Sequence, residues 1–320
     1  MKQLKSSSAL FLAAVVWGFA FVAQSEGMRY VGGFTFNCVR SLIGGLVLIP
    51  CIFLMRGLQD RGQDGRQDEN QNDGGAGGRA FTFMGIDRTV LRGGICCGIF
   101  LCIASNLQQH GIKYTTVGKA GFITALYIVL VPIFGLFLHK RVGKTVWIGL
   151  ALAVAGLYFL CIDGQFTVEI GDLLVFLCAI FFALQILAVD HFAPRVDCVV
   201  LSCIEFFTSG ILSAVPMFMC ETVSWEGLVD AAAPILYAGV MSCGVAYTLQ
   251  IVGQKNMNPT VASMIMSLES VISVLAGFLL LHQRLSAREL VGCVLMFAAV
   301  LLSQLPEKKS TVREKERRKT

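Results

Sequence analysis

The sequence predicts an all-α polytopic membrane protein: ten transmembrane helices arranged as two inverted five-helix repeats. Three observations predict it. Of 320 residues, 55% are hydrophobic and only 15% charged, whereas a soluble domain devotes about a quarter of its residues to charge. The apolar residues gather in long runs, as a bilayer span of about 20 residues requires. Short motifs also recur between the two halves of the chain at nearly fixed spacing, the mark of a duplication.

The spans fall at roughly 8–24, 34–55, 93–110, 117–138, 145–162, 172–189, 198–219, 232–252, 259–281 and 288–305. The first run follows Lys2 and Lys5, and nine further spans favour a retained helix over a cleaved leader. After the second span comes QDRGQDGRQDENQNDGGAGGRA (59–80), polar and nearly free of aliphatics. It cannot bury enough surface to fold, so a disordered loop is expected over about 57–88. Pro50, Pro132 and Pro216 lie within spans and are expected to kink or end their helices. The tail PEKKSTVREKERRKT (306–320) reads as a solvated basic segment, suited to touching anionic lipid.

Orientation follows from the Lys and Arg of the connections. With the N-terminus inside, twenty of the 26 fall on the cytosolic side, while Arg29, Lys113, Lys119, Arg284 and Arg288 fall outside or at an outer edge. Both termini are therefore expected in the cytosol. The net charge of +5 collects in loops and tail and signals no nucleic acid. Most of the twelve cysteines sit in apolar runs without CxxC spacing, which suits small packing residues better than a metal site. No metal and no cofactor is expected.

The repeats fix the architecture. LQQHGIK (107–113) returns as LQIVGQK (249–255), offset by 142; LHKR (138–141) returns as LHQR (281–284), offset by 143. Upstream, CVRSLIGGLV (38–47) aligns with CIEFFTSGIL (203–212) at 165, the excess reflecting the long loop of the first half. The predicted units are 1–162 and 163–305, with 306–320 as tail. Five spans is an odd number, so the second unit enters from the opposite face, the plan of many secondary transporters.

WGFAFVAQ (17–24), FTFNCVRSLIGGLVLIP (34–50), TTVGKAGFITALYIVLVPIFG (115–135) and SLESVISVLAGFLLLHQRL (267–285) resemble the paired EamA-type repeats of the drug/metabolite transporter superfamily. The resemblance implies ten helices around a central cavity that opens alternately to each side. It also implies small metabolites, amino acids or drugs as cargo, often exported, and often coupled to protons or to exchange. Two departures stand out. Ser270 occupies the proline of the usual SLEP pattern, and His282-Gln283 stands where members carry Gly-Glu.

Charges within the spans are the candidate site residues, because each is costly in lipid. At 1.5 Å per residue, Glu269 lies about 15 Å deep, the middle of a ~30 Å core. It is too short to reach water and is a candidate for reversible protonation or for holding a cationic group. Ser267, Ser270 and Ser273 give it a hydroxyl-rich setting, with Met264 and Met266 as an adaptable wall. Arg40 lies about 9 Å and Lys119 about 3 Å from the outer face, and together they can face an anionic group. Each can also snorkel to the interface. Asn37 shares the Arg40 face. Glu205, the repeat partner of Arg40, lies about 10 Å in from the opposite side, so a direct ion pair has to bridge that separation. Trp17, Gln24, Asn106, Gln108, Tyr127, Gln185, Tyr247 and Gln250 are further candidate lining groups, Gln108 and Gln250 being duplicate positions.

The expected function is secondary active transport of a small metabolite, amino-acid-like solute or drug across the plasma (inner) membrane. Protons and a second copy of the chain are candidate partners beside the solute and the lipid. A membrane enzyme is the weaker reading: His110, His139, His191 and His282 are scattered, and neither HExxH nor GxSxG occurs. A sensor or scaffold would rest on the 59–80 loop alone.

Overall fold

A segment crossing lipid finds no water for its backbone groups, so each N–H and C=O must be met within the segment. The computed structural model describes residues 2–64, 87–114, 117–138, 143–161, 169–255, 257–281 and 286–303, and all regular structure among them is helical. The helices are α1 (Lys2–Gly27), α2 (Gly33–Asp64), α3 (Arg88–Ile112), α4 (Val117–Ala125), α5 (Tyr127–Phe137), α6 (Lys144–Cys161) and α7 (Ile170–Phe192). A 3-10 turn at Ala193–Arg195 leads to α8 (Cys198–Cys220), α9 (Trp225–Asp230) and α10 (Ala232–Leu236). A π-helical stretch (Tyr237–Ala246) follows, then α11 (Tyr247–Gln254), α12 (Pro259–Met266), α13 (Glu269–Leu281) and α14 (Ala287–Ser303).

Among the described residues, eight helical stretches are long and apolar enough to cross a membrane. The protein is therefore a multi-pass membrane protein. The apolar part of α6 (Lys144–Phe159) is shorter, and α14 has 17 residues.

Local chemistry sets the helix starts. Asp87 accepts from the Val90 amide at 2.7 Å and Asp197 from the Val199 amide at 2.8 Å. Asn258 caps α12 through the Thr260 amide at 2.9 Å, with Pro259 in the first turn. These oxygens satisfy amides that have no partner inside the helix.

Three expectations need correction. The polar loop was expected from about residue 57, yet α2 runs on through Asp64; Leu58, Gln59 and Arg61 carry enough helix propensity to extend it. At the loop's other end Asp87 and Arg88 already cap and begin α3, and residues 65–86 and the tail lie outside the described residues. Of the two roles expected of Pro50, Pro132 and Pro216, ending a helix falls away, since all three sit inside α2, α5 and α8. The fourth and ninth spans, expected as single helices, are instead broken near their middles, at Leu126 and at Ser267–Leu268. The eighth, too, is not uniform, since its centre is the π-helical stretch.

Packing positions the site. α2 lies along α8 and the π-helical stretch, α3 along α7 and α8, and α1 along α11, α13 and the π-helical stretch. Small residues permit the closest approaches. A Cβ on Gly98 of α3 would fall 2.6 Å from the Glu205 carbonyl of α8, and one on Gly44 of α2 would fall 3.1 Å from the Gly239 carbonyl.

At one end of the bundle Glu221, just past α8, reaches the start of α2. Its carboxylate accepts from the Phe34 amide at 2.9 Å, the Thr35 amide at 2.8 Å and the Thr35 hydroxyl at 2.7 Å. An anion on a helix N-terminus is favoured both by the free amides and by the helix dipole. Glu221→Ala is expected to lower stability by about 1–2 kcal/mol, read as a lower unfolding midpoint in detergent. An unchanged midpoint would show the clasp to be dispensable.

Candidate functional site

The two helix breaks lie at corresponding places in the sequence. Ile123 and Leu126 flank one; Ile265 and Leu268, each 142 residues later, flank the other. The backbone repeats as well. Leu126 N–H donates to the Ile123 carbonyl at 3.1 Å, and Leu268 N–H donates to the Ile265 carbonyl at 3.2 Å. Such short-span bonds tighten the turn and interrupt the helical ladder. Tyr127 and Glu269 are the first residues beyond the breaks, also 142 apart, and the Tyr127 hydroxyl donates to Glu269 Oε1 at 3.2 Å.

These two side chains face a cavity of about 50 Å³, room for a few water molecules. Much of its wall comes in pairs at the two sequence offsets. Trp17 and Phe182, and Phe21 and Ile186, stand 165 apart; Gln108 and Gln250, Thr124 and Met266, and Tyr127 and Glu269 stand 142 apart. Gln24, Arg40, Gln185, Ser242 and Tyr247 complete it. Three of the five pairs keep like chemistry, while Tyr127 and Glu269 pair a phenol with an acid and Thr124 and Met266 a hydroxyl with a thioether.

Arg40 is 6% exposed and Glu269 8%, so neither escapes to the surface. Neither makes an ion pair with another described residue; the Arg29–Glu26 pair, at 3.0 Å, lies on the surface. The guanidinium of Arg40 lies 5.6 Å from the centre of the Phe36 ring, and its Nε has no hydrogen-bond partner. Trp17 Nε1, Gln24 Oε1 and Gln250 Oε1 are likewise buried and unpartnered. Buried polar atoms nearly always have partners, so four unmet groups on one cavity wall point to an occupant that supplies them. Trp17 packs edge-on to Tyr247 at 4.8 Å, and Gln108 donates to the Thr124 hydroxyl at 3.3 Å.

Of the candidates read from the sequence, Trp17, Arg40, Gln108, Tyr127, Gln250 and Glu269 line this cavity, as do Gln24, Gln185 and Tyr247. The others do not belong to its described wall. Asn37 donates to the Ser105 carbonyl and to Asn106 Oδ1 across the α2–α3 contact, and Asn106 donates to Ser213 Oγ at 2.9 Å. Both bridge packed helices, with Asn37 Oδ1 left buried and unpartnered. Glu205 lies behind the wall, fully buried, accepting from Gln185 Nε2 at 2.8 Å; it makes no ion pair with Arg40. Lys119 belongs to α4, and its side chain lies outside the described residues.

The hydroxyls expected around Glu269 are partly spent on the backbone, while Ser270 Oγ is buried without a partner. Ser267 and Ser273 donate to the carbonyls of Met264 and Ser270, both at 2.8 Å. A hydroxyl has one proton, so neither serine has one left for the carboxyl, to which Tyr127 donates. Phe21, Thr124, Phe182, Ile186 and Ser242 were missed. The offset of 165 applied to Trp17 points to Phe182, and that of 142 applied to Met266 points to Thr124. Phe21 and Ile186 pair only with each other, and Ser242 has no partner on the wall.

A family model described as the EamA-like transporter family matches residues 4–162 and again 169–305. The chain belongs to the EamA-like transporter family. An uncharacterized transporter of Archaeoglobus fulgidus is 28% identical over 306 residues, covering 95% of this chain and 87% of that protein. The uncharacterized transporter YoaV of Bacillus subtilis is 18% identical over 310 residues, covering 94% and 97%. One solved crystal structure superposes with a TM-score of 0.73 at 20% identity, covering 93% of this chain and 96% of that one. That likeness concerns the fold. As a member of the EamA-like family, the protein is a membrane transporter.

Proposed function

We propose that the chain is a secondary active transporter that carries a small polar metabolite, amino-acid-like solute or drug by alternating access. Ten helices form two inverted repeats, 1–162 and 163–305. Both termini face the cytosol of a cell whose plasma (inner) membrane holds the protein. The observation that carries this reading is a cavity at two helix breaks, lined by an unpaired guanidinium and an unpaired carboxyl that do not neutralise each other.

In an apolar bundle each such charge is expensive unless something uses it. Arg40 would hold an anionic group of the solute, and Glu269 would carry a proton or hold a cationic group. Broken helices at the midplane are the usual way transporters expose backbone groups to a solute. A solute larger than a few waters enters only if the packing between units opens, which is what rocking of one unit on the other achieves.

Metabolite profiling of cells with and without the protein identifies the solute. Its uptake into proteoliposomes under an imposed pH gradient then tests the reading. Expected is saturable, protein-dependent uptake that responds to the gradient. Protein-containing and empty vesicles behaving alike across the candidate solutes would refute it.

A further inference from the structure

Among the described residues two glutamates are buried, and only Glu269 faces the cavity. Glu205 is fully buried and is not among the residues that line the cavity. It nevertheless connects to the wall. Glu205 Oε1 accepts from Gln185 Nε2 at 2.8 Å, and Gln185 Oε1 accepts from Gln250 Nε2 at 3.1 Å. The chain ends at Gln250 Oε1, buried and unpartnered, in a residue of the cavity wall.

Glu205 Oε1 accepts in this arrangement, whereas a primary amide donates from one end and accepts at the other. Gln185 must therefore turn its NH2 to Glu205, which leaves its carbonyl for Gln250. Gln250 must in turn give its NH2 to Gln185, and its carbonyl is what remains. Reversing either amide sets two oxygens against each other. With Glu205 as the acceptor, the order is thus set from its buried end.

We infer that Glu205 is a positioning residue that fixes the direction of this chain, so that Gln250 meets the solute as an acceptor. The complementary group on the solute is a hydrogen-bond donor such as a protonated amine. The wall then divides by polarity: Arg40 and Trp17 offer N–H groups, while Gln24, Gln250 and Glu269 offer oxygens. This inference rests on the cavity being the solute site.

The test uses the full chain in phospholipid nanodiscs. With glutamine and glutamate labelled in 13C and 15N, solid-state NMR of the wild type should place the Gln185 NH2 against the Glu205 carboxyl carbon. It should also place the Gln250 NH2 against the Gln185 carbonyl. In Glu205→Gln, whose amide donates or accepts equally, the single pattern should give way to two. Glu205→Met, which offers no acceptor, should lose it as well and covers the case that one variant folds poorly.

Recognition is read with phenethylammonium and its N,N,N-trimethyl counterpart, equal in charge but without N–H. Binding is followed by Trp17 fluorescence in a Trp147→Phe, Trp225→Phe background, both tryptophans lying outside the cavity wall. The wild type should prefer the N–H probe by about tenfold or more, the loss expected for one unmet hydrogen bond, and Glu205→Gln should erase most of that preference. An unchanged amide pattern in both variants, or an unchanged preference, overturns the inference. A changed pattern with neither amine binding upholds the polarity assignment and counts against the cavity as solute site.

Discussion

Replacing Arg40 with glutamine is expected to reduce transport about a hundredfold or more without lowering the stability of the protein. Taking away one partner of a buried charged contact costs about 2–5 kcal/mol, and each 1.4 kcal/mol is a factor of ten. Here the partner would be the solute, because no carboxylate of the described chain pairs with the guanidinium and its Nε is unmet. The stability readout separates this role from a structural one. A guanidinium that held helices together would leave buried groups unpaired when removed, and the unfolding midpoint would fall. An unpaired one burdens the fold, so the midpoint should hold or rise. Arg40→Lys keeps the charge but not the planar fork and should retain only part of the activity. Uptake by Arg40→Gln at wild-type rates would remove Arg40 from the solute site.

Glu269→Gln should abolish uptake driven by a pH gradient while sparing exchange of internal for external solute. The amide is nearly isosteric and still accepts from the Tyr127 hydroxyl, which donates to Oε1 at 3.2 Å in the wild type. What it cannot do is gain or lose a proton. Coupling therefore disappears, while binding and the rocking motion survive. Tyr127→Phe removes one neutral donor and should change rates by about tenfold or less. If uptake by Glu269→Gln follows the gradient as the wild type does, Glu269 is eliminated as the coupling group. Loss of both exchange and driven uptake would instead make it a solute ligand.

Much of this site was legible because its residues break the rules of their surroundings. Arg40 and Glu269 stand out as charges in apolar runs, and Gln108 and Gln250 as a repeated LQ pair at an offset of 142. Both pairs reach the cavity wall. Asn37 and Glu205 carried the same kind of signal and went elsewhere. A polar residue in a span says that a partner exists, not whether that partner is a solute or another helix. Asn37 found Ser105 and Asn106, and Glu205 found Gln185. Phe21, Phe182 and Ile186 gave no signal of their own, since an apolar residue facing a cavity looks like one facing lipid.

The sequence by itself determined that this is a helical membrane protein of the EamA-like kind, and it exposed the 142 and 165 offsets. Hydropathy and repetition are properties of the chain alone. Only the tertiary structure decided that Leu126 and Ser267–Leu268 interrupt their helices. Neither Pro132 nor any glycine marks those breaks, and a local bond shifts from the fourth to the third preceding residue. The same holds for Tyr127 meeting Glu269, for the direction of the chain from Glu205 to Gln250, and for Arg40 being left without a carboxylate. Each depends on which helix faces land together, and that follows from close packing at residues such as Gly44 and Gly98 rather than from any one segment's own preference.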